Sequence, residues 1–372
     1  MKVLITGANG FIGKNLVAHL RERRDIQIVR FGREDQPSNL VSMVEGVDFV
    51  FHLAGVNRPQ RVEEFNEGNT DLTETLCSAI RATGRLIPVV YTSSIQAELD
   101  KPYGVSKRGA EKALLKLSQE QGGAVYLYRL PNVFGKWARP NYNSAVATFC
   151  YNLVHDLPII VNDPAVSLQL VYIDDVIKSF IDVMDGAVSK GPYLDVHPVY
   201  ATTVGLLAEQ LQAFKRSRDT MITERVGVGL PRALYSTYLS YLEPAFFTYE
   251  VPKHGDARGV FVEMLKTPDS GQFSYFTAHP GITRGGHYHH TKTEKFLVIK
   301  GNACFRFRHI ASGEFYELYT DGDTPRIVET APGWTHDITN VGETEMIVML
   351  WANEIFDRER PDTYTMAVGT QA

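Results

Sequence analysis

The chain has 372 residues, a formal net charge of −5, 44% hydrophobic and 22% charged residues, a length too great for one average core and suited to two domains of an ordinary soluble protein. Its 38 Lys and Arg are outnumbered by 43 Asp and Glu, and with no basic block among them a nucleic-acid partner is not expected. The longest apolar runs, such as "MIVMLWA", are strand-length, so no membrane span is expected either.

The first element is an apolar β-run, "KVLIT", followed by a glycine-rich turn and apolar positions at helical spacing. Gly7, Gly10 and Gly13 form T-G-x-x-G-x-x-G between that strand and helix. Glycines there permit a tight turn and close backbone approach, so a pyrophosphate can sit on the helix N-terminus. The motif begins at Thr6, which leaves no room for a signal peptide. Cys77, Cys150 and Cys304 lack metal or redox spacing and are read as incidental thiols. A cytoplasmic protein is expected.

Strand and helix patterns then alternate. "DIQIVRFGR", "DFVFHLAG", "PVVYTSS" and "AVYLYRLPNVFG" read as strands, with "NTDLTETLCSAIRATG" and "KRGAEKALLKLSQEQG" as helices between them. This is a Rossmann-like, doubly wound α/β sheet. Where the second strand ends, an acidic residue would bind a ribose 2′-hydroxyl and an arginine a 2′-phosphate. Arg33 precedes Glu34 and Asp35, which favours NADP(H). Tyr103 and Lys107 lie four apart at the start of a helix and so share one face. An ammonium beside a phenol, whose free pKa is about 10, stabilises the phenolate and makes the hydroxyl a usable proton donor to a carbonyl.

TGxxGxxG, "HLAG", "TSS", YxxxK and "RLPNVFG", in this order over roughly residues 1–243, resemble the extended short-chain dehydrogenase/reductase family, which acts on nucleotide sugars. The resemblance implies a catalytic set of Ser94, Tyr103 and Lys107, with Ser93 as the alternative serine. It further implies cofactor contacts at Gly7, Gly10, Phe11, Ile12, Gly13, Arg33, Leu53, Ala54 and Gly55, together with Tyr103 and Lys107, and places Asn132 near the substrate. His52 and Asn69 read as structural or peripheral, and Asp174 and Asp175 as part of the fold.

Past "YLEPAFFTYEVPKHGDARG" the helical patterns vanish. Short β-runs separated by Gly, Pro and Asp turns continue to the end, an antiparallel barrel or jelly roll. Gly281, His287-x-His289, Glu294 and Gly301, then Gly333, His336 and Asn340, resemble the two motifs of the cupin family. The second departs slightly, with "APG" where a residue usually separates Pro from Gly. Strand alternation turns both imidazoles of HxH to one barrel face, and Glu294 and His336 can close a three-His, one-carboxylate site. Such ligands suit Zn, Fe(II), Mn or Ni; one divalent ion, zinc for choice, is expected on His287, His289, Glu294 and His336. His290 should face away unless a β-bulge exchanges it with His289. "DARGVFVE" (Asp256 to Glu263) and "TRGGHYHHTKTEKFLV" resemble the nucleotide-sugar 3- and 3,5-epimerase branch of cupins. That branch implies His287 as a base, with Arg284 binding substrate and Lys295 assisting catalysis, so His287 is claimed as both base and ligand.

Both halves in this order resemble the bifunctional reductase–epimerases of capsular polysaccharide and O-antigen synthesis. The expected domains are 1–243 and 252–372, the expected fold class α/β plus an all-β cupin barrel. The resemblance implies a UDP-2-acetamido-2,6-dideoxy-4-hexulose that is epimerised at C3 and reduced at C4 with NADPH, in a homodimer or higher homo-oligomer. Three alternatives stay open at this point: a reductase whose cupin only dimerises, a non-catalytic NADP-sensing regulator, which would have no need of YxxxK, and an iron-using cupin oxygenase, whose fusion to a sugar reductase nothing explains.

Overall fold

The computed structural model describes residues 1–187, 191–251, 253–256, 259–262, 265, 271–354 and 359–369. They form two compact units.

The first unit comprises Met1–Phe134 and Leu168–Ala201. Strands and helices alternate as β1 (Lys2–Thr6), α1 (Phe11–Arg21), β2 (Gln27–Phe31), α2 (Leu40–Met43), β3 (Phe49–His52), α3 (Leu72–Thr83), β4 (Val89–Ser94), α4 (Pro102–Gln121) and β5 (Val125–Leu130). After β6 (Asn132–Phe134) the chain leaves for α5 (Ala145–Val154), which belongs to the second unit. It returns with β7 (Ser167–Tyr172), α6 (Ile173–Met184), β8 (Tyr193–Leu194) and β9 (Val199–Thr203). The main sheet has the order β2-β1-β3-β4-β5-β8, and its paired strands run parallel. Every residue of β3 and β4 is buried, as strands covered on both faces must be. The chain steps from β1 to one side for β2 and to the other for β3. The crevice at the carboxyl ends of β1 and β3 is therefore the switch point where doubly wound sheets take ligands.

The second unit comprises Gly135–Ser167 and Thr202–Ala372. In it α5 packs against α7 (Val204–Thr220) and α8 (Gly229–Leu239). The strands follow: β10 (Thr248–Glu250), β11 (Lys253–Asp256), β12 (Gly259–Val262), β13 (Gln272–Ala278), β14 (Thr283–Tyr288), β15 (Glu294–Lys300), β16 (Asn302–His309), β17 (Phe315–Asp321), β18 (Arg326–Glu329), β19 (Trp334–Asn340), β20 (Met346–Ala352) and β21 (Tyr364–Thr365). Two five-stranded sheets, β10-β18-β15-β20-β13 and β17-β16-β19-β14-β21, make the cupin barrel.

The compact units interleave, whereas the sequence suggests one break between 243 and 252. The reason is physical. One face of β15 and β18 carries the buried ions Lys295 and Glu329, which need partners away from water. Arg218 of α7 pairs with Glu329, and the Tyr235 ring of α8 lies close enough to feel both charges. The 135–167 stretch is tied in by Trp137, whose Nε1 donates to His309 Nε2 at 2.9 Å, and by Tyr241, which donates to the Ala138 carbonyl.

Candidate active sites

In the first unit the glycine turn is built for close approach. Gly7 has φ +68°, and a Cβ there would lie 2.7 Å from Ala54 N; a Cβ on Gly13 would lie 2.2 Å from the Gly7 carbonyl. Gly10 caps α1 with no side-chain acceptor, and the first turn, which starts with Phe11 and Ile12, holds no acid. The helix N-terminus is thus open to an anion at the switch point. Leu53, Ala54 and Gly55 line the same end of the sheet: Leu53 N and Ala54 N donate to the Thr6 carbonyl and hydroxyl at 3.2 Å each. Arg33 is exposed just past β2. The neighbouring acids are turned to local donors, Glu34 accepting from Asn9 Nδ2 at 3.1 Å and Asp35 from Gly32 N at 2.7 Å.

Tyr103 and Lys107 stand one turn apart on α4. Lys107 is buried, and its Nζ donates to the Thr92 carbonyl at 2.8 Å and to Tyr91 Oη at 3.2 Å. A Cβ on Gly55 would lie 3.2 Å from that Nζ, so the amine sits between the ends of β3 and β4. Burial brings its pKa down to about 8, with Glu111 opposing. Tyr103 is half-buried, its ring 5.6 Å from that of Phe65. The next residue, Gly104, packs so tightly on the turn after Ser94 that a Cβ would meet the Gln96 carbonyl at 2.2 Å.

The two serines are sharply different. Ser93 donates to the buried carboxylate of Glu111, which Arg129 also holds through Nε at 3.0 Å and Nη2 at 2.7 Å. Ser94 accepts from Gln96 N at 3.2 Å and keeps its hydroxyl proton for another partner. Glu111 belongs to none of the sequence motifs, although Tyr103, Lys107 and Glu111 recur every fourth residue on one helix. Burial would raise its carboxyl, but Arg129 and Ser93 hold it low.

His52, Asn69 and Asp174 each hydrogen-bond to neighbouring elements. His52 binds Thr6 at 2.7 Å and Thr73 at 2.8 Å, and burial takes it down to about 3. Asn69 brackets Val56 by its N–H and carbonyl, and Asp174 meets His19 of α1 at 2.9 Å. Asn132 is exposed at the start of β6.

In the second unit the four expected ligands converge. His287, His289, Glu294 and His336 each bring a ligand atom to within 4.8 Å of the others. His287 and His336 are direct cross-strand partners on β14 and β19, while Glu294 comes from β15 in the other sheet. The three imidazole centroids are 4.9, 5.1 and 5.3 Å apart. A bulge interrupts β14 between Gly285 and His287, where Gly285 and Gly286 adopt φ +100° and +74°. It lies before the HxH, so His287 and His289 keep a common face and His290 is not exchanged into the cluster.

The donor set fits a cation. The His289 Nδ1–H donates to the Asp362 main-chain carbonyl, which leaves Nε2 facing Glu294 Oε2 at 3.1 Å. Two lone pairs meet there unless a proton or cation lies between them. Both ring nitrogens of buried His336 make no hydrogen bond, although Nε2 lies 3.3 Å from the same carboxylate oxygen. Burial drives the His287 imidazolium down to about 3, aided by the charges of His336 and His289. Burial would raise the Glu294 carboxyl, but the two histidines hold it well below the usual range.

Lys295 requires correction. Glu294 faces the histidines, so its neighbour on β15 points the other way. Lys295 Nζ donates to Tyr249 Oη at 3.0 Å and pairs with Glu329, and that charge holds it protonated despite burial. The lysine at the cluster is Lys292, buried, 3.6 Å from Glu294 Oε1 and 3.0 Å from Thr363 Oγ1. Lys292 lies in the turn that precedes β15, two residues before Glu294, so strand alternation gives it no signal in the sequence. Arg284 is exposed, donating to the Thr277 carbonyl at 3.3 Å and lying over the Phe276 ring. Of the "DARGVFVE" stretch, residues 257, 258 and 263 lie outside the described residues.

The chain matches the NAD dependent epimerase/dehydratase family over residues 3–194 and the polysaccharide biosynthesis C-terminal domain over residues 254–364. It belongs to the NAD dependent epimerase/dehydratase family and is an NAD(P)(H)-dependent enzyme. Over all 372 residues it is 62% identical to the UDP-2-acetamido-2,6-beta-L-arabino-hexul-4-ose reductase of Pseudomonas aeruginosa, covering 100% of each chain. It is also similar to the capsular polysaccharide assembling protein CapF of Staphylococcus aureus, with a TM-score of 0.69 and 42% identity over 99% of this chain and 100% of that one. A UDP-glucuronic acid 4-epimerase from Bacillus cereus, in complex with NAD, shares the fold of 59% of this chain and 83% of its own at 18% identity and a TM-score of 0.51. Among the described residues no helix is long and apolar enough to cross a membrane.

Proposed function

We propose a bifunctional nucleotide-sugar enzyme. Its second unit inverts C3 of a UDP-2-acetamido-2,6-dideoxy-4-hexulose, and its first unit reduces the C4 ketone. The product is UDP-2-acetamido-2,6-dideoxy-L-talose, on the route to UDP-N-acetyl-L-fucosamine. The observation that carries this reading is the presence in one chain of two separately built sites, the Tyr103–Lys107 face at a dinucleotide crevice and the three-His, one-Glu cluster. The reductase from Pseudomonas aeruginosa, similar along its whole length, supports the substrate class.

In the first unit NADPH, when bound, supplies the hydride. The residues do the rest: Tyr103 gives a proton to the C4 oxygen, and Lys107 favours the phenolate left behind and orients the ribose. Ser94 donates to the C4 oxygen, and Asn132 contacts the sugar. Arg33 meets the 2′-phosphate of NADPH.

In the second unit His287, His289, Glu294 and His336 would hold one divalent ion, zinc in this reading, which would supply positive charge to stabilise an enolate. A C4 ketone acidifies the C3 proton. His287, the most open of the four, takes that proton in one version and serves as a ligand in the other, and a proton returned to the opposite face of C3 completes the inversion; the metal content of His287→Ala separates the two versions. Arg284 binds substrate at the rim. C3 inversion has little driving force by itself, and reduction at C4 removes the ketone and draws it forward. A cytoplasmic homodimer completes the reading.

The test is incubation with the UDP-4-keto sugar in deuterated water, with and without NADPH. Deuterium should enter C3 without NADPH, and reduced product should carry it when NADPH is added. A double substitution at His289 and His336 should abolish both metal content and exchange. A wild type that reduces the ketone but never exchanges C3 would leave the reductase and remove the epimerase.

A further inference from the structure

The turn that carries His289 is held from a place far along the chain. The carboxylate of half-buried Asp362 lies against residues 289–292 and accepts four hydrogen bonds. Oδ1 takes His290 N at 2.9 Å, while Oδ2 takes Thr291 N at 2.7 Å, Thr291 Oγ1 at 2.9 Å and Lys292 N at 2.7 Å. The main-chain carbonyl of the same residue accepts from His289 Nδ1. Thr363 receives Lys292 Nζ, and the strand that follows, β21, pairs with β14 at His287 and Tyr288.

We infer that Asp362 is a positioning residue for the His289 and Lys292 side of the cluster, and that the C-terminal strap 362–366 is part of the site. This rests on the reading of the cluster as a metal centre. The argument is one of tautomers. A carbonyl can only accept, so His289 carries its proton on Nδ1 and turns a bare Nε2 toward Glu294. The carboxylate below fixes the backbone of the next three residues, and so fixes where that carbonyl and that ring meet. Four donors onto one carboxylate exceed what an amide can accept, because an amide turns two hydrogens of its own toward the turn.

The experiment uses the full-length chain stripped by chelation and titrated with Co²⁺ while the visible d–d absorption is followed. Asp362→Asn is expected to weaken Co²⁺ binding about 10–100-fold and to change the band shape, with Asp362→Glu recovering part of the loss and NADPH affinity unchanged. Full affinity and an unaltered band in Asp362→Asn would overturn the inference. The His289 and His336 double variant tests the underlying reading separately, since it must bind no cobalt. If the wild type takes up no cobalt, the metal reading falls. The inference is then decided by ¹H–¹⁵N histidine spectra of the apoprotein. Asp362→Asn must shift His289 away from the Nδ1–H tautomer, and an unchanged tautomer overturns the assignment. Should Asp362→Ala fail to fold, the Asn and Glu variants still decide.

Discussion

Lys295 and Glu329 face one another across β15 and β18, register partners in the sheet and an ion pair in its packing. Glu294 points from the opposite side of the same strand into the histidine cluster. Lys295→Met should therefore cost stability and leave C3 exchange intact per folded molecule. Breaking a buried pair costs about 3–5 kcal/mol, and the remaining Arg218 partner argues for the lower end. Urea denaturation measures the loss. Exchange abolished in a folded Lys295→Met protein would restore the lysine to catalysis.

Tyr103→Phe removes one hydroxyl at the mouth of the crevice. Reduction should fall about 10²–10⁴-fold while NADPH still binds and C3 still exchanges in deuterated water. Exchange lost in this variant but kept after His287 substitution would move the enolisation into the first unit.

The Lys107 amine predicts an alkaline limb. Its folded pKa lies near 8 because burial disfavours the charge, below the free lysine value of about 10.4. The ammonium is present below pH 8 and lost above it. kcat/KM for reduction should decline as the pH rises through that value. C3 exchange in the Tyr103→Phe variant should show no matching limb.

Arg33→Ala should weaken NADPH more than NADH, since the two cofactors differ by the phosphate that a guanidinium at the end of β2 would meet. Fluorescence titration with each cofactor gives the ratio, and equal losses would make Arg33 a bystander.

What the sequence revealed and what it hid follow from the range of the forces involved. Gly7, Gly10 and Gly13, and the HxH of His287 and His289, were legible because local geometry demands those residues at those intervals. Ser93 and Ser94 were not separable, because only Glu111 and Arg129, from α4 and β5, decide which hydroxyl is consumed by the fold. The assignment of Lys295 went astray by following a family position. The alternation that unites His287 with His289 forbids Glu294 and Lys295 a common face. Asp362 left no local trace, since nothing in its neighbourhood announces a turn seventy residues earlier.

The threading of the second unit has a consequence during synthesis. Helix α5 buries Val146, Ala147, Phe149, Cys150, Leu153 and Val154, and its neighbours α7 and α8 are translated only after the whole of β7 to β9. The first unit can close on the ribosome while this apolar stripe still waits for its cover. A nascent chain paused near residue 201 should thus be a chaperone client, sticky at one helix and native elsewhere. The same threading means that a gene cut near codon 242 would divide the second unit rather than separate the two. It would strip Arg218 and Tyr235 from the charged face of β15 and β18.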